Sequence, residues 1–294
     1  MIQQSHDIKI RRMEKRDLQQ VLDLINKEGW EYDMSEIDRI NRIDPITSVV
    51  ACSGDFVVGG ITVVTVGGRC LIGHVVVKEG WRRKGLGKVM IGSVMKDVES
   101  RGVDFIEVYS VIDAVNFYEK LGFQIVEELR TYVKRGLTEE DCSVPHSKRV
   151  RDLSLSDLPQ IIALDSKALG FERGAILEIL MRDFPRQCKG LFNENELVGF
   201  ILGRTNPIMD DAGPWVMEHP GIEDGQLLLR ALFAAKRPGV RVIFGLPEKN
   251  KVARDTLASM GFKNEINQFR LVKSNKKAKE FSPSMMTMSA FELG

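Results

Sequence analysis

Two separated stretches of the chain carry one pattern of apolar and polar positions. IRRMEKRDLQQVLDL from Ile10 and VRDLSLSDLPQIIALD from Val150 align without a gap, at a shift of 140 residues that takes Arg11 to Arg151. In each, a short alternating stretch gives way to an aspartate, Asp17 or Asp157, and then to apolar residues at helical spacing. These are Leu18, Val21 and Leu24 in the first stretch and Leu158, Ile161 and Leu164 in the second. The pattern predicts a strand, a turn and a helix, twice. The same shift lays GDFVVGGI from Gly54 on ENELVGFI from Glu194, each reading as a hairpin around a polar turn. KLGF from Lys120 meets SMGF from Ser259 after a one-residue deletion. Three blocks in one order imply a duplication. The expected division is a first domain over 1–138, a polar, proline-containing linker over 139–147 and a second domain over 148–294.

The densest local signal is HVVVKEGWRRKGLGKVMIGSVMKDVESRG, from His74 to Gly102. A β-rich run ends at Val77, and after a short turn Arg82-x-x-Gly85-x-Gly87 opens a helix. Leu86, Met90, Val94 and Val98 recur every four residues, and Gly102 stands where a C-terminal cap is expected. Glycines at the start of a helix let a ligand approach the backbone, and the free N–H groups of the first turn attract an anion. Arg82, Arg83, Lys84 and Lys88 add positive charge around the turn. The spacing is neither the dinucleotide fingerprint nor a P-loop.

This segment resembles motif A of the GNAT superfamily of N-acetyltransferases, whose R/Q-x-x-G-x-G/A loop holds the coenzyme A pyrophosphate. AVNFYEKLGF, from Ala114 to Phe123, is similar to the family's motif B. The resemblance covers about residues 8–135, and the second copy joins it through the repeat. It implies an α/β fold (an α+β mixed sheet) of two tandem GNAT-like domains, each a twisted mixed sheet flanked by helices. It also implies acetyl-CoA as acyl donor, held by Arg82, Arg83, Lys84, Gly85, Leu86, Gly87 and Lys88 at its pyrophosphate. Backbone groups of Val75, Val76 and Val77 would hold its pantetheine arm and thioester oxygen. Tyr118 matches the family tyrosine that protonates the leaving thiolate; a half-buried packing role is the other reading of that residue. Val111 stands where many relatives carry an asparagine that contacts the coenzyme.

His74, on the strand before the loop, is a candidate base, since an unperturbed imidazole titrates near pH 6.5; a packed strand histidine is the other reading. Glu28, Trp30, Glu31, Tyr32 and Asp33 form an acidic-aromatic cluster after the first helix. Trp30, Glu31 and Tyr32 there suit a cationic amine through charge and cation–π contact, and equally suit an ordinary helix end. In the second copy the loop has changed: Ile222 replaces Arg82, Glu223 and Asp224 replace Arg83 and Lys84, and Leu227 replaces Gly87. Two carboxylates there repel a pyrophosphate, and Leu257 replaces Tyr118. The second copy is therefore either a wall for the substrate cleft or a separate effector site.

Charge and cysteine content narrow the partners. Lys plus Arg total 42 against 41 Asp plus Glu, which gives no basic field for nucleic acid. Cys52, Cys70, Cys142 and Cys188 form no CxxC pair, so neither a metal site nor a disulfide framework is expected. No apolar run is long enough to cross a bilayer, and the N-terminus lacks a leader, which points to the cytoplasm. The resulting expectation is acetyl transfer from acetyl-CoA to a small-molecule amine, without metal. A catalytically silent acyl-CoA sensor and a protein N-acetyltransferase are the alternatives.

Overall fold

The computed structural model describes residues 8–145, 147–207 and 209–288. Contacts divide the chain into two compact units, Met1–Val108 with Lys273–Lys276, and Tyr109–Val272 with Lys277–Gly294.

In the first unit, β1 (Ile8–Arg12) leads into α1 (Leu18–Lys27) and α2 (Met34–Ile43). The meander β2 (Val49–Ser53), β3 (Phe56–Val66) and β4 (Arg69–Val77) follows, then α3 (Leu86–Ser100) and β5 (Phe105–Val111), in which the unit boundary falls. The sheet order is β1-β2-β3-β4-β5, antiparallel except for the parallel pair β4–β5. Two adjacent glycines of β3 show how the helices dock. A Cβ on Gly59 would come within 2.9 Å of Met90 Sδ from α3, and one on Gly60 within 3.3 Å of the Val21 methyls from α1. Successive strand residues face opposite ways, so α1 and α3 cover opposite faces of the sheet.

The second unit opens with α4 (Ile112–Glu119) and β6 (Gln124–Arg135). β7 (Val150–Asp152), α5 (Leu158–Leu169), α6 (Gly174–Asp183), β8 (Cys188–Asn193) and β9 (Glu196–Thr205) come next. β10 (Asp210–Met217), α7 (Ile222–Phe233), β11 (Arg241–Pro247), α8 (Lys251–Ser259), β12 (Lys263–Lys273) and β13 (Met285–Thr287) complete it. Its strands lie in the order β7-β8-β9-β10-β11-β6-β12, with β13 added to β10. The core is aromatic: Trp215, Phe233 and Phe262 surround Phe244.

The duplication is visible in detail. Arg11 grips Asp17 through both guanidinium ends at 2.6 and 2.8 Å, and Arg151 grips Asp157 at 3.1 and 2.7 Å. The freed amide three residues before each aspartate, on Glu14 or Ser154, donates to the same carboxylate at 2.8 Å. Each cluster fixes the strand-to-helix turn that the sequence pattern predicts.

The sequence repeat and the compact units divide the chain differently. Within the linker expected over 139–147, residues 139–142 form a turn, with Asp141 accepting from Lys134 and from Thr138. The unit boundary comes earlier because β6, the last strand of the first copy, pairs antiparallel with β11 on one side and β12 on the other. A strand paired on both edges stays with the sheet that satisfies its backbone.

Candidate active site

The loop before α3 has the backbone that its glycines imply. Arg83 and Gly85 both have left-handed φ values, +61° and +82°, and α3 begins directly after Gly85. The first helical bond runs from Val89 N to Gly85 O, at 3.1 Å. The amides of Leu86, Gly87 and Lys88 therefore lie in the first turn, ahead of the intrahelical ladder. A Cβ at Gly85 would meet nothing within 4 Å among the described residues, so that face of the loop is open. Arg83, Lys84 and Lys88 are exposed around it. Glycine, free amides, a helix N-terminus and three cations in one turn fit a pyrophosphate. At the far end Gly102, with φ +77°, and Val103 close a Schellman motif onto Glu99 O and Val98 O.

Arg82 has a different task from its neighbours. Its Nε donates to Val77 O at 2.7 Å, and its guanidinium pairs with Glu28 at the end of α1. It thus ties the loop entrance to β4 and α1. Lys84 Nζ donates to Gly80 O at 2.9 Å, so its ammonium also steadies the turn.

β4 carries a bulge at the expected histidine. Gly73 pairs with Thr62 and Val76 with Gly60, which leaves His74 and Val75 opposite Ile61 alone. His74 adopts φ +40°, a region that L side chains rarely occupy. The residue is 8 % exposed, and Nδ1 lies 2.8 Å from the Thr62 hydroxyl. Tyr32 meets the imidazole edge-on at 4.3 Å between centroids, and Trp30, 41 % exposed, stands at 6.1 Å. The parallel ladder between β4 and β5 covers only Arg69–Ile72 against Phe105–Val108. Beyond Ile72 the edge of β4 that faces away from β3 carries no further strand pairing among the described residues.

The acidic-aromatic cluster separates by role. Trp30 and Tyr32 face His74, whereas Glu28 is engaged by Arg82. Asp33 caps α2, accepting from Glu36 N at 3.1 Å while Glu36 reaches back to Asp33 N at 3.0 Å. Glu31 is exposed and left-handed, with φ +55°. Thr62 is the residue that sequence reading missed. The Gly67–Gly68 turn sets Val66 opposite Arg69, and counting back from that pair reaches Thr62 opposite Gly73.

Tyr118 lies on α4, in the second unit. It is buried edge-on against Phe117 and Phe123, and burial raises its phenol above the ordinary value. Exclusion of water keeps such a group protonated.

The second copy lacks the histidine, the threonine and the open, cationic loop. The shift of 140 places Pro214 at His74 and Leu202 at Thr62. Gly225, the counterpart of Gly85, is packed: a Cβ there would come within 2.9 Å of Trp215. Asp224 is paired with Arg149 at 2.6 and 3.0 Å. Among the described residues no group of three or more His, Cys, Asp or Glu is placed to hold a metal ion. No described helix is long and apolar enough to cross a membrane.

Comparison with known proteins agrees with both copies. The model of the acetyltransferase (GNAT) family matches residues 15–123, and a second acetyltransferase (GNAT) domain model matches residues 161–284. No curated protein matches the chain. Among solved structures, a proposed acetyltransferase from Pyrococcus horikoshii superposes with a TM-score of 0.78 at 20% identity, covering 98% of this chain and 96% of its own. A GCN5-related N-acetyltransferase from Sphaerobacter thermophilus gives 0.67 at 14% identity, over 93% and 97%. A tandem GNAT protein from the clavulanic acid biosynthesis pathway gives 0.66 at 14%, over 93% and 100%. At such identities the likeness is one of fold. With two GNAT domain models matched in tandem along its length, the chain belongs to the GNAT acetyltransferase family.

Proposed function

We propose that this protein moves an acetyl group from acetyl-CoA to the amine of a small-molecule acceptor, using the site built on the first copy. The observation that carries this reading is the turn from Arg83 to Lys88, an open, left-handed, cationic loop running into a helix N-terminus. Its amides, with Arg83, Lys84 and Lys88, hold the pyrophosphate, and Arg82 orders the loop from behind. The edge of β4 that turns away from β3 offers backbone groups to the amide-bearing arm at Val75 and Val77, whereas Val76 is paired with Gly60 of β3. At Val77 the carbonyl is already taken by Arg82, which leaves its amide.

The donor supplies an acyl thioester. His74 takes the proton that the attacking amine must lose: in the tautomer that donates Nδ1–H to the Thr62 hydroxyl, 2.8 Å away, Nε2 is the basic nitrogen. Formation of the C–N bond expels a thiolate, and Tyr118 returns a proton to it. Burial raises the phenol above its ordinary value, which keeps the proton on oxygen until charge develops on sulfur. Trp30 and Tyr32 form an aromatic wall for the acceptor, with Glu31 at its exposed margin.

The test is thiol release from acetyl-CoA across a panel of small amines, amino acids and a lysine-containing peptide. Turnover with a small amine supports the reading. Acetyl-CoA binding with no thiol release from any amine would make the protein a sensor, and turnover confined to the peptide would make the acceptor a protein.

A further inference from the structure

In the second unit the parallel pair β10–β11 also parts early, after Asp210 and Asp211 against Val242 and Ile243. Two strands that diverge expose the N–H and C=O groups of their facing edges, and buried groups of this kind need partners. The C-terminal strand β13 supplies them. It pairs antiparallel with β10, Trp215 against Thr287 and Val216 against Met285. Met217 N donates to Ser284 O at 2.9 Å, and on the other side Met288 N donates to Gly245 O of β11 at 2.9 Å. The tail therefore bonds to both strands and fills the wedge between them.

The filled wedge corresponds to the free edge of the first unit. β3 and β4 pair Gly60 with Val76 and Gly59 with Val77; β9 and β10 pair Phe200 with Val216 and Gly199 with Met217, each 140 residues on. Trp215, Val216 and Met217 are thus the counterparts of Val75, Val76 and Val77. The seat is also specific in shape. Gly213 has φ +153°, and a Cβ there would overlap the Met288 carbonyl oxygen, so only glycine admits the tail. Asn250, which caps α8 through Ala253 N, donates its side-chain amide to Pro283 O at 3.0 Å and Met285 O at 2.9 Å. Met285, Met286, Thr287 and Met288 are fully buried.

We infer that the strand Met285–Thr287 is a built-in peptide occupant of the second unit's coenzyme cleft, seated permanently where the first unit leaves an edge for a ligand. The inference rests on the reading that this edge in the first unit takes the coenzyme arm. Strand addition to a free edge is the same device by which proteins bind extended peptides, here supplied within one chain. The second copy is then closed to acyl-CoA by its own backbone, in addition to the loss of its phosphate loop.

Hydrogen exchange of the full chain, with and without saturating acetyl-CoA, tests the inference. The amides of Met217 and Met288 should be protected by at least about 10³-fold, as core amides are, and the coenzyme should change that protection by less than twofold. Titration should give one coenzyme per chain. Gly213→Ala should strip protection from Met288 by at least tenfold while leaving coenzyme affinity within twofold. Exchange at Met288 as fast as in a free peptide, or a tenfold acceleration by coenzyme, would overturn the inference. So would a second coenzyme equivalent, or a Gly213→Ala chain that keeps its tail protected. A chain that binds no coenzyme yet keeps Met288 protected would instead refute the function proposed for the first copy.

Discussion

Thr62 holds His74 by its inner nitrogen: the hydroxyl oxygen lies 2.8 Å from Nδ1, with Thr62 2 % exposed. The contact is made at a bulge where the histidine backbone is left-handed, a conformation that costs about 1–3 kcal/mol. There the imidazole meets Tyr32 edge-on at 4.3 Å, with Trp30 at 6.1 Å.

If His74 is the base, His74→Asn should lower kcat/KM by about 10²-fold or more. Asparagine tolerates left-handed φ, so the bulge survives and the loss reports on the ring. Thr62→Val should lower kcat/KM by about fivefold, the worth of one ordinary hydrogen bond, and Thr62→Ser should restore it. These constants are measured against pH, with acetyl-CoA affinity determined separately. Normal turnover in His74→Asn would assign the proton to water.

Gly87→Glu places an anion in the loop proposed to hold the pyrophosphate. It should weaken acetyl-CoA binding at least tenfold, or about 1.4 kcal/mol. The matched control is Leu227→Glu on α7. Calorimetric titration of both variants, each shown to be folded by its thermal transition, decides the point. Equal losses would move the coenzyme site away from the first copy.

Glu28 gives the proposed acceptor pocket a control. Its carboxylate is engaged with Arg82 rather than with the ring of His74. Glu28→Gln should therefore leave the acceptor KM within about twofold, and its effect on stability should stay below about 1 kcal/mol, as for exposed pairs. A large rise in the acceptor KM would return Glu28 to the amine pocket.

The twin clamps predict an acid-sensitive contribution to stability. Hydrogen bonding from Arg151 lowers Asp157 to about 2, and Asp17 is lowered as well, burial being outweighed by Arg11 and the Glu14 amide. A carboxylate depressed in the folded state stabilises above its unfolded value and loses that contribution as pH falls through the folded value. Asp157→Asn should cost about 1 kcal/mol at neutral pH, well short of the full linkage figure because Arg151 is 51 % exposed and screened by water. The deficit against the parent chain should vanish between about pH 4 and pH 2 in urea melts.

The duplication was legible because it is written in local chemistry. Arg11 with Asp17 and Arg151 with Asp157 are six residues apart, and helical spacing places Val21 and Ile161 in their cores. The glycine turn into α3 was legible for the same reason, since glycine, charge and helix start are contiguous. Three things were not. The pairing of β6 with β11 joins residues more than 100 positions apart, and nothing local to β6 announces it. The roles of Glu28 and Asp33 depend on which neighbour each carboxylate meets, so an acidic cluster in sequence became one loop brace and one helix cap. The tail strand is three residues long, too short for any periodicity to register.

Tyr118→Phe separates the chemical role of the phenol from its packing. The ring sits edge-on to Phe117 at 5.1 Å and Phe123 at 5.8 Å, contacts that phenylalanine keeps. If the hydroxyl protonates the departing thiolate, its interaction forms chiefly as charge develops on sulfur. Loss of such an interaction lowers kcat and kcat/KM together, and general acids contribute about 10² to 10⁴ in rate. Acetyl-CoA affinity should stay within about twofold, because the ground state carries no charge for the phenol to stabilise. Steady-state thiol release gives the first comparison, and single-turnover kinetics give the chemical step when product release limits the rate. A change below about threefold in the chemical step would remove Tyr118 from the mechanism and leave it as a packing residue of α4.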